Sequence, residues 1–210
     1  MPTNQPDLPS LFCKPVSLPY DDELLFLNEK GLPGRLISFR SLQLSTDVDL
    51  IHDWVHQEYA QAFWQFPETR DKIMLHYGEL LSSPHQHSFI GQVDLVPVCL
   101  VDIYRVLADE LKDHVPDAGA DDTGLHFLMA PPGQRVKNLS FTLFYSFLQF
   151  YFSFPMAERL FGEPDERNEA ANRIVRRCGF QFMRPISLSY KTANLYCLTK
   201  QQFHATHPID

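Results

Sequence analysis

The stretch GLHFLMAPPGQRVKNLSFTLFYSFLQFYFSF, residues 124–154, decides the fold of this chain. Its first seven residues are almost all apolar, which is typical of a strand at the centre of a sheet. The apolar run after the loop predicts a helix over about 137–153. A strand, a tight polar loop and a helix form an anion site, because the unpaired amides of the first helical turn face the loop. Arg135 and Lys137 lie in this loop, so it could hold a phosphate or pyrophosphate, although a solvated loop would carry the same residues.

The segments on either side complete a sheet with helices. Downstream, the patterns predict a strand, a helix and two antiparallel strands, at AERLFGEP (157–164), DERNEAANRIVRRCGF (165–180), FQFMRPISLSY (180–190) and TANLYCLTK (192–200). Upstream, they predict a strand, two helices and a pair of strands, at 35–44, 45–64, 67–81 and 88–106. The order β-α-α-β-β-β-α-β-α-β-β belongs to the α/β class, and it predicts a mixed, twisted sheet with helices on both faces.

The first part of the chain has a different composition. Residues 1–34 contain six prolines, which favour an extended N-terminal arm laid over the domain, and residues 35–210 form the domain itself. A length of 210 residues is enough for one domain with a sizeable core.

Bulk composition argues against several classes of function. The net charge of −8 disfavours general binding to nucleic acids or anionic membranes, since both need a positive field. The four cysteines are far apart and form no CxxC pair, which disfavours a disulfide framework and a zinc knuckle. Neither a signal peptide nor an apolar run of membrane-spanning length is evident, so we expect a cytoplasmic protein.

Two segments carry a resemblance to a known family. HFLMAPPGQRVKNLSFTLFYSFLQF followed by ERLFGEPDERNEAANRIVRRCGF resembles the siderophore-biosynthesis N-acyltransferases of the GNAT superfamily. Members of that group acylate N6-hydroxylysine for aerobactin, hydroxylated diamines for alcaligin, putrebactin and desferrioxamine, or lysine for mycobactin. The resemblance covers about residues 38–200, and it implies the GNAT fold, in which a mostly antiparallel sheet is splayed at its centre.

The resemblance also implies a set of site residues. His126 and Asp165 match the two catalytic positions, although Asp165 is also what an ordinary helix N-cap looks like. The residues expected to bind the acyl donor, acetyl-CoA or succinyl-CoA, are Leu128, Ala130, Gly133, Gln134, Arg135, Lys137, Asn138, Asn168 and Asn172. Those expected to bind the acceptor are Trp64, Tyr104 and Glu163, and Asp102 and the acidic stretch Asp109–Asp122 are further candidates for contacts with its distal end. One departure is that Val136 and Asn138 stand where the pyrophosphate loop of the family usually has glycines.

The implied reaction is direct attack of nitrogen on a thioester. A hydroxylamine nitrogen is already neutral at physiological pH, so the enzyme has to position it and accept a proton, and a histidine such as His126 suits that role. Strand amides near Leu128–Ala130 would polarise the thioester carbonyl. The expected partners are acyl-CoA and a small hydroxylamine or diamine substrate, with a homodimer possible and no nucleic acid or membrane. We expect no metal, because His52 and His56 have ligand spacing but no third ligand.

Two other functions stay open from the sequence. A GNAT enzyme acting on an ordinary amine, such as a polyamine or lysine, would share most of these features. A non-catalytic GNAT-like binding module would explain the missing loop glycines. Comparing a diamine with its N-hydroxy form separates the first from the hydroxamate hypothesis. Coenzyme A failing to raise the melting temperature would favour the second.

Overall fold

The computed structural model describes Phe12 and residues 24–64, 69–133 and 136–206. The strands are β1 (Leu24–Leu32), β2 (Arg35–Ser41), β3 (Gln86–Val93), β4 (Val96–Arg105), β5 (Thr123–Met129), β6 (Arg159–Gly162), β7 (Gln181–Ser187) and β8 (Thr192–Thr199). The helices are α1 (Leu44–Val55), α2 (Glu58–Gln61), α3 (Arg70–Ser82), α4 (Leu139–Ser153), α5 (Glu169–Arg177) and α6 (Lys200–Thr206). Two short 3-10 turns, Val106–Ala108 and Glu110–His114, follow β4.

The eight strands form one mixed sheet in the order β1-β2-β3-β4-β5-β6-β8-β7. Every neighbouring pair is antiparallel except β5 and β6 at the centre, which are parallel. The predicted α/β class and the mixed sheet are therefore confirmed. The parallel pair arises because α4 carries the chain from the end of β5 back to the start of β6.

Each face of the sheet is covered by a different set of helices. One face packs on α4, whose Phe147 ring lies 5.4 Å from Phe39 and 5.6 Å from Phe89, measured between ring centroids. The opposite face packs on α1 and α3 through a cluster that includes Ile90 and Leu100. Alternation of side chains along a strand assigns successive residues to opposite faces. Burial of each large apolar side chain is worth about 1.5–3 kcal/mol, so these two layers hold the sheet in place.

The structure differs from the sequence-based prediction at three places. Residues 24–32, part of the predicted arm, form edge strand β1 and pair with β2, because Leu24, Phe26 and the residues after them can extend the sheet. The single helix predicted over 45–64 is broken after Val55 into α1 and α2. A further helix, α6, follows β8, and the pattern did not predict it. The part of the predicted arm before residue 24 lies outside the described residues, apart from Phe12.

The parallel strands β5 and β6 stay together for only two residue pairs. Thr123 pairs with Leu160 and Gly124 with Phe161, and beyond them the strands separate. Gly124 is required here, since a Cβ at this position would lie 2.2 Å from the Tyr104 ring. The resulting gap in the centre of the sheet is bordered by the second half of β5 and by the residues that follow β6.

Candidate active site

Backbone groups of β5 point into the gap. The amide of Ala130 donates to the carbonyl of Val98 on β4 (2.9 Å). Because successive residues of a strand point their amides to opposite sides, Leu128 also faces β4, whereas Phe127 and Met129 face the gap. Within the stretch Leu128–Ala130, whose amides were expected to polarise a thioester, the Met129 amide therefore lies on the side of the gap and those of Leu128 and Ala130 do not. The amides placed to do so are those of Phe127 and Met129.

His126 lies on the sheet face that is covered by α1 and α3. It sits directly opposite Asp102 of β4, and its ring lies 5.1 Å from Tyr104 and 6.0 Å from Trp64, between centroids. Its Nε2 atom is 2.8 Å from Oε1 of Glu163. The side chain is 36% exposed, so His126 is fixed by its neighbours on one side and open to the gap on the other.

Glu163 is the partner that orients His126. It follows β6 directly, and its side chain is only 2% exposed. Burial alone would raise the pKa of Glu163, but Lys191, 3.6 Å away, and His126 outweigh it and lower that pKa to about 2. Glu163 is therefore a buried carboxylate that stays ionised. Glu163, which the resemblance implied to bind the acceptor, contacts His126 and Lys191 in the structure.

Asp165 does not make the contact that was expected of it. Both carboxylate oxygens are bound by the Arg167 guanidinium, at 2.9 and 2.7 Å, and Oδ1 also accepts the Arg167 amide. These bonds, opposed by burial, hold the pKa of Asp165 below its ordinary value. Nor is Asp165 the cap of α5, because Asn168 takes that position by accepting the Ala171 amide (3.0 Å). The partner of His126 is thus Glu163, two residues earlier in the chain.

Five of the predicted donor-binding residues belong to the segment between β5 and α4. Gly133, Lys137 and Asn138 lie at the junction between β5 and α4, whereas Gln134 and Arg135 lie outside the described residues. Asn138 precedes α4 with φ +61, the left-handed conformation that glycine favours and asparagine tolerates. Asparagine therefore supplies the backbone shape that a glycine would give at this position.

Asn172 has a structural role and is not available to a cofactor. Its amide nitrogen donates to the carbonyls of Asp165 and Asn168, both at 2.8 Å. Its side-chain oxygen accepts from Asn194 and from the Tyr196 hydroxyl. All four hydrogen-bonding positions of the amide are filled and the residue is 2% exposed. The expectation that Asn172 binds the donor is therefore contradicted.

Both aromatic residues predicted to bind the acceptor line the His126 pocket. Tyr104 is buried, and that burial, together with the nearby Glu163 carboxylate, raises the pKa of its hydroxyl well above the ordinary value. Trp64 meets the His126 ring edge-on. The aromatic rings of Tyr104 and Trp64 restrict the access of water to the His126 imidazole.

Tyr59 and Lys191 of the pocket were missed by sequence reasoning, and Asp109 was covered only as part of the acidic stretch Asp109–Asp122. Tyr59 of α2 donates to the Met129 carbonyl at the rim of the gap (2.7 Å). Lys191 reaches Glu163 from the hairpin between β7 and β8. Asp109 lies near enough to Glu163 and His126 for their charges to affect its pKa, which burial raises. None of the three carries a motif, and their placement depends on contacts between distant parts of the chain.

The described residues hold no group of three or more histidine, cysteine or acidic side chains able to bind a metal. His52 and His56 stack with ring centroids 4.3 Å apart on α1. Within the same residues, no helix is long and apolar enough to cross a membrane.

Comparisons with known proteins agree with this architecture. The family model described as "Acetyltransferase (GNAT) domain" matches residues 43–188. N-hydroxyputrescine acetyltransferase of Acinetobacter baumannii is 29% identical over 80% of this chain and 79% of its own length. Lysine N-acyltransferase MbtK of Mycolicibacterium paratuberculosis is 24% identical, over 72% of this chain and 69% of its own length.

Solved structures share the fold. An uncharacterised protein of Bacillus halodurans has a TM-score of 0.75 and 26% identity, covering 81% of this chain and 88% of its own. The aminoglycoside acetyltransferase AAC(6')-Ib has a TM-score of 0.74 at 18% identity, covering 83% of this chain and 99% of its own. The chain therefore belongs to the GNAT acetyltransferase family, and it is an acyl-CoA-dependent N-acyltransferase.

Proposed function

We propose that the enzyme transfers an acyl group from acyl-CoA to an N-hydroxylated amine and forms a hydroxamate for siderophore biosynthesis. The acceptor is N-hydroxyputrescine, N-hydroxycadaverine or N6-hydroxylysine, and the donor is acetyl-CoA or succinyl-CoA. The observation that carries the proposal is the His126–Glu163 pair (2.8 Å) beside the gap between β5 and β6. The names of two relatives support it, N-hydroxyputrescine acetyltransferase and the N(6)-hydroxylysine O-acetyltransferase of Escherichia coli.

The donor enters the gap with its thioester carbonyl facing β5. The amide of Met129 then donates to the carbonyl oxygen, whose negative charge grows as the nitrogen attacks. Strand β5 fixes the position of this amide, and the Tyr59 hydroxyl donates to the carbonyl oxygen of Met129. The pantetheine amides pair with the free edge of β5 in the place that β6 leaves open, which aligns the thioester with His126.

His126 accepts the proton that the nitrogen loses. Its Nε2 atom is occupied by Glu163, and Nδ1 has no hydrogen-bond partner in the described part of the chain. The neutral hydroxylamine nitrogen forms the new C–N bond, and Nδ1 takes its proton as the tetrahedral intermediate forms. The C–S bond then breaks, and the His126 imidazolium returns the proton to the sulfur, so that coenzyme A leaves as the thiol. Glu163 stabilises the imidazolium formed in between.

The charge around the pocket suits an acceptor with a cationic tail. Asp109 forms no salt bridge with any described residue, and its Oδ1 accepts only the Leu111 amide. Burial is the main cause that raises the pKa of Asp109, and the negative charges of the Glu163 and Glu110 carboxylates raise it further. An ammonium at the distal end of a diamine would relieve this repulsion. Asp109 is therefore our choice for the residue that binds the distal ammonium.

A panel assay tests the proposed function. The protein is incubated with acetyl-CoA or succinyl-CoA and with hydroxylated and plain forms of putrescine, cadaverine and lysine. Hydroxamate is followed by the colour of its iron complex, and release of coenzyme A by a thiol reagent. We expect colour with a hydroxylated amine. Thiol release with plain amines alone would refute the hydroxamate assignment while leaving the enzyme an N-acyltransferase.

A further inference from the structure

Tyr59 brings a hydroxyl group to the edge of β5 that β6 leaves open. Its Oη atom donates to the carbonyl oxygen of Met129 (2.7 Å). Met129 lies opposite Cys99 of β4 in a pair whose amide and carbonyl groups point away from β4, towards the gap. The pairing of β5 with β6 ends at Gly124, so the Tyr59 hydroxyl lies at the open part of the β5 edge.

The backbone of α2 fixes the position of Tyr59. Ala60, the next residue, is 3% exposed and packs in the apolar cluster on the sheet face that α1 and α3 cover. The Trp64 amide donates to the Ala60 carbonyl (2.7 Å) and closes the turn after α2. Tyr59 itself is 42% exposed. Its ring therefore reaches the gap from a fixed backbone and stays accessible there.

The geometry of a β-ladder gives the distance from the Tyr59 hydroxyl to a thioester. Two directly opposite residues of an antiparallel pair can exchange two hydrogen bonds, each residue donating its amide to the carbonyl of the other. At Met129 the Tyr59 hydroxyl takes the place of the incoming amide, and a thioester oxygen bound to the Met129 amide takes the place of the incoming carbonyl oxygen. The nitrogen and oxygen of one extended residue are about 3 Å apart. The hydroxyl and the thioester oxygen therefore lie at about hydrogen-bonding distance from each other.

We propose that Tyr59 is a further catalytic residue, whose hydroxyl turns from the Met129 carbonyl to the thioester oxygen and stabilises the oxyanion together with the Met129 amide. The inference rests on the placement of the thioester in the proposed function, and it holds for any amine acceptor. As the nitrogen forms the C–N bond, the electron pair of the C=O bond moves to oxygen, and the Tyr59 O–H donates to that oxygen. The pair then re-forms the C=O bond as the C–S bond breaks. Tyr59 keeps its proton throughout.

The growing charge on the thioester oxygen is the reason for the change of acceptor. A hydrogen bond to an ionised oxygen is shorter and roughly twice as strong as one between neutral groups. The Met129 carbonyl holds the hydroxyl in place until that charge develops. An interaction that strengthens only in the transition state raises kcat without tightening the binding of the donor. Burial raises the pKa of Tyr59 above its ordinary value, so the hydroxyl is protonated and able to donate at physiological pH.

Tyr59→Phe tests the inference, because it removes the hydroxyl and keeps the ring. The rate is measured as release of coenzyme A in a single turnover at saturating acetyl-CoA, with an amine acceptor that the unmodified protein uses. We expect the rate to fall by about 10²-fold, the loss typical of one oxyanion donor. We expect the Kd of coenzyme A, measured by calorimetry, to stay the same. A variant that keeps the parent rate would overturn the inference.

Tyr151→Phe is the matched control. The Tyr151 hydroxyl also donates to a backbone carbonyl, that of Arg159 (3.0 Å), at the end of β6 that lies away from the gap. We expect Tyr151→Phe to retain the parent rate even where its melting temperature is lower. Equal losses of rate in the two variants would trace the effect to a weakened sheet and overturn the inference.

A bracing role of Tyr59 gives a different result from a catalytic one. If Tyr59→Phe weakens coenzyme A binding by the same factor as it slows the reaction, the hydroxyl only supports the end of β5, and the inference is wrong. Failure of the proposed function is seen separately, as thiol release by the unmodified protein with plain amines alone. The comparison of Tyr59→Phe with the parent is then made with those amines. Circular dichroism and thermal unfolding of both variants check that the fold is retained.

Discussion

Replacing Lys191 with methionine removes the cation beside the buried Glu163 carboxylate and keeps a side chain of similar length. Two charges 3.6 Å apart attract by about 4–5 kcal/mol at an effective dielectric constant of about 20. The net shift of the Glu163 pKa, from 4.5 to about 2, corresponds to about 3 kcal/mol. This net value already includes the opposing effect of burial and the contribution of His126. We therefore expect Lys191→Met to lower the free energy of unfolding by about 3 kcal/mol at pH 7.

The pH dependence identifies charge as the cause. Because the folded pKa of Glu163 lies below the unfolded one, its contribution is fully present well above pH 4.5 and is lost as the pH falls through about 2. In Lys191→Met the cation that opposes the effect of burial is gone, so the pKa of Glu163 in the folded state is higher than in the parent. The difference in stability between the parent and the variant should therefore shrink as the pH is lowered below about 5. Urea unfolding from pH 7 to pH 3 measures it.

A double-mutant cycle provides the control. Glu163→Gln removes the charge that Lys191 compensates, so Lys191→Met should cost much less in that background than in the parent. The Lys191 Nζ atom also lies over the Tyr190 ring, 5.2 Å from its centroid. A cost that is the same at pH 7 and pH 3, or the same in the two backgrounds, would show that Lys191 stabilises the protein through this contact and not through Glu163.

Three further predictions concern the site and the loop. His126→Ala should stay folded and lose about 10²–10⁴-fold in kcat, with a smaller loss for a hydroxylamine than for a plain amine, as steady-state kinetics on both acceptors will show. Asp165→Asn should reduce the rate far less than His126→Ala, because Arg167 occupies the Asp165 carboxylate; equal losses would contradict this. Arg135→Ala combined with Lys137→Ala should weaken coenzyme A binding in calorimetry without changing the fold, and an unchanged affinity would move the phosphate site elsewhere.

The centre of the fold was predictable from the sequence because its signals are local. A short apolar strand, a polar loop and a long apolar helix stand next to one another, and β5 and α4 form where the pattern indicates. Edge strand β1 was missed since prolines before it suggested a loose arm, and its strand character depends on pairing with β2. The spacing of apolar residues over 45–64 does not indicate the break between α1 and α2.

The site was predictable in part, and the limit is physical. The resemblance to the acyltransferase family singled out His126, and the strand pattern around it indicated which face of the sheet it lies on. Its partner could not be identified in this way, because Glu163 and Asp165 are two residues apart and both follow β6. Arg167 decides between them by binding Asp165 locally, which leaves Glu163 to meet His126 and Lys191 across the gap. Such competition between a local and a long-range contact has no sequence signature.

The chemistry assigned to His126 and Glu163 is tested most directly by identifying the product of one turnover. The protein is mixed with acetyl-CoA and N-hydroxyputrescine, and the position of the acetyl group is determined by mass spectrometry and NMR. We expect acetyl on the hydroxylated nitrogen, as a hydroxamate that binds iron. Acetyl on the distal amine, or on oxygen as an ester, would contradict the placement of the hydroxylamine nitrogen at His126.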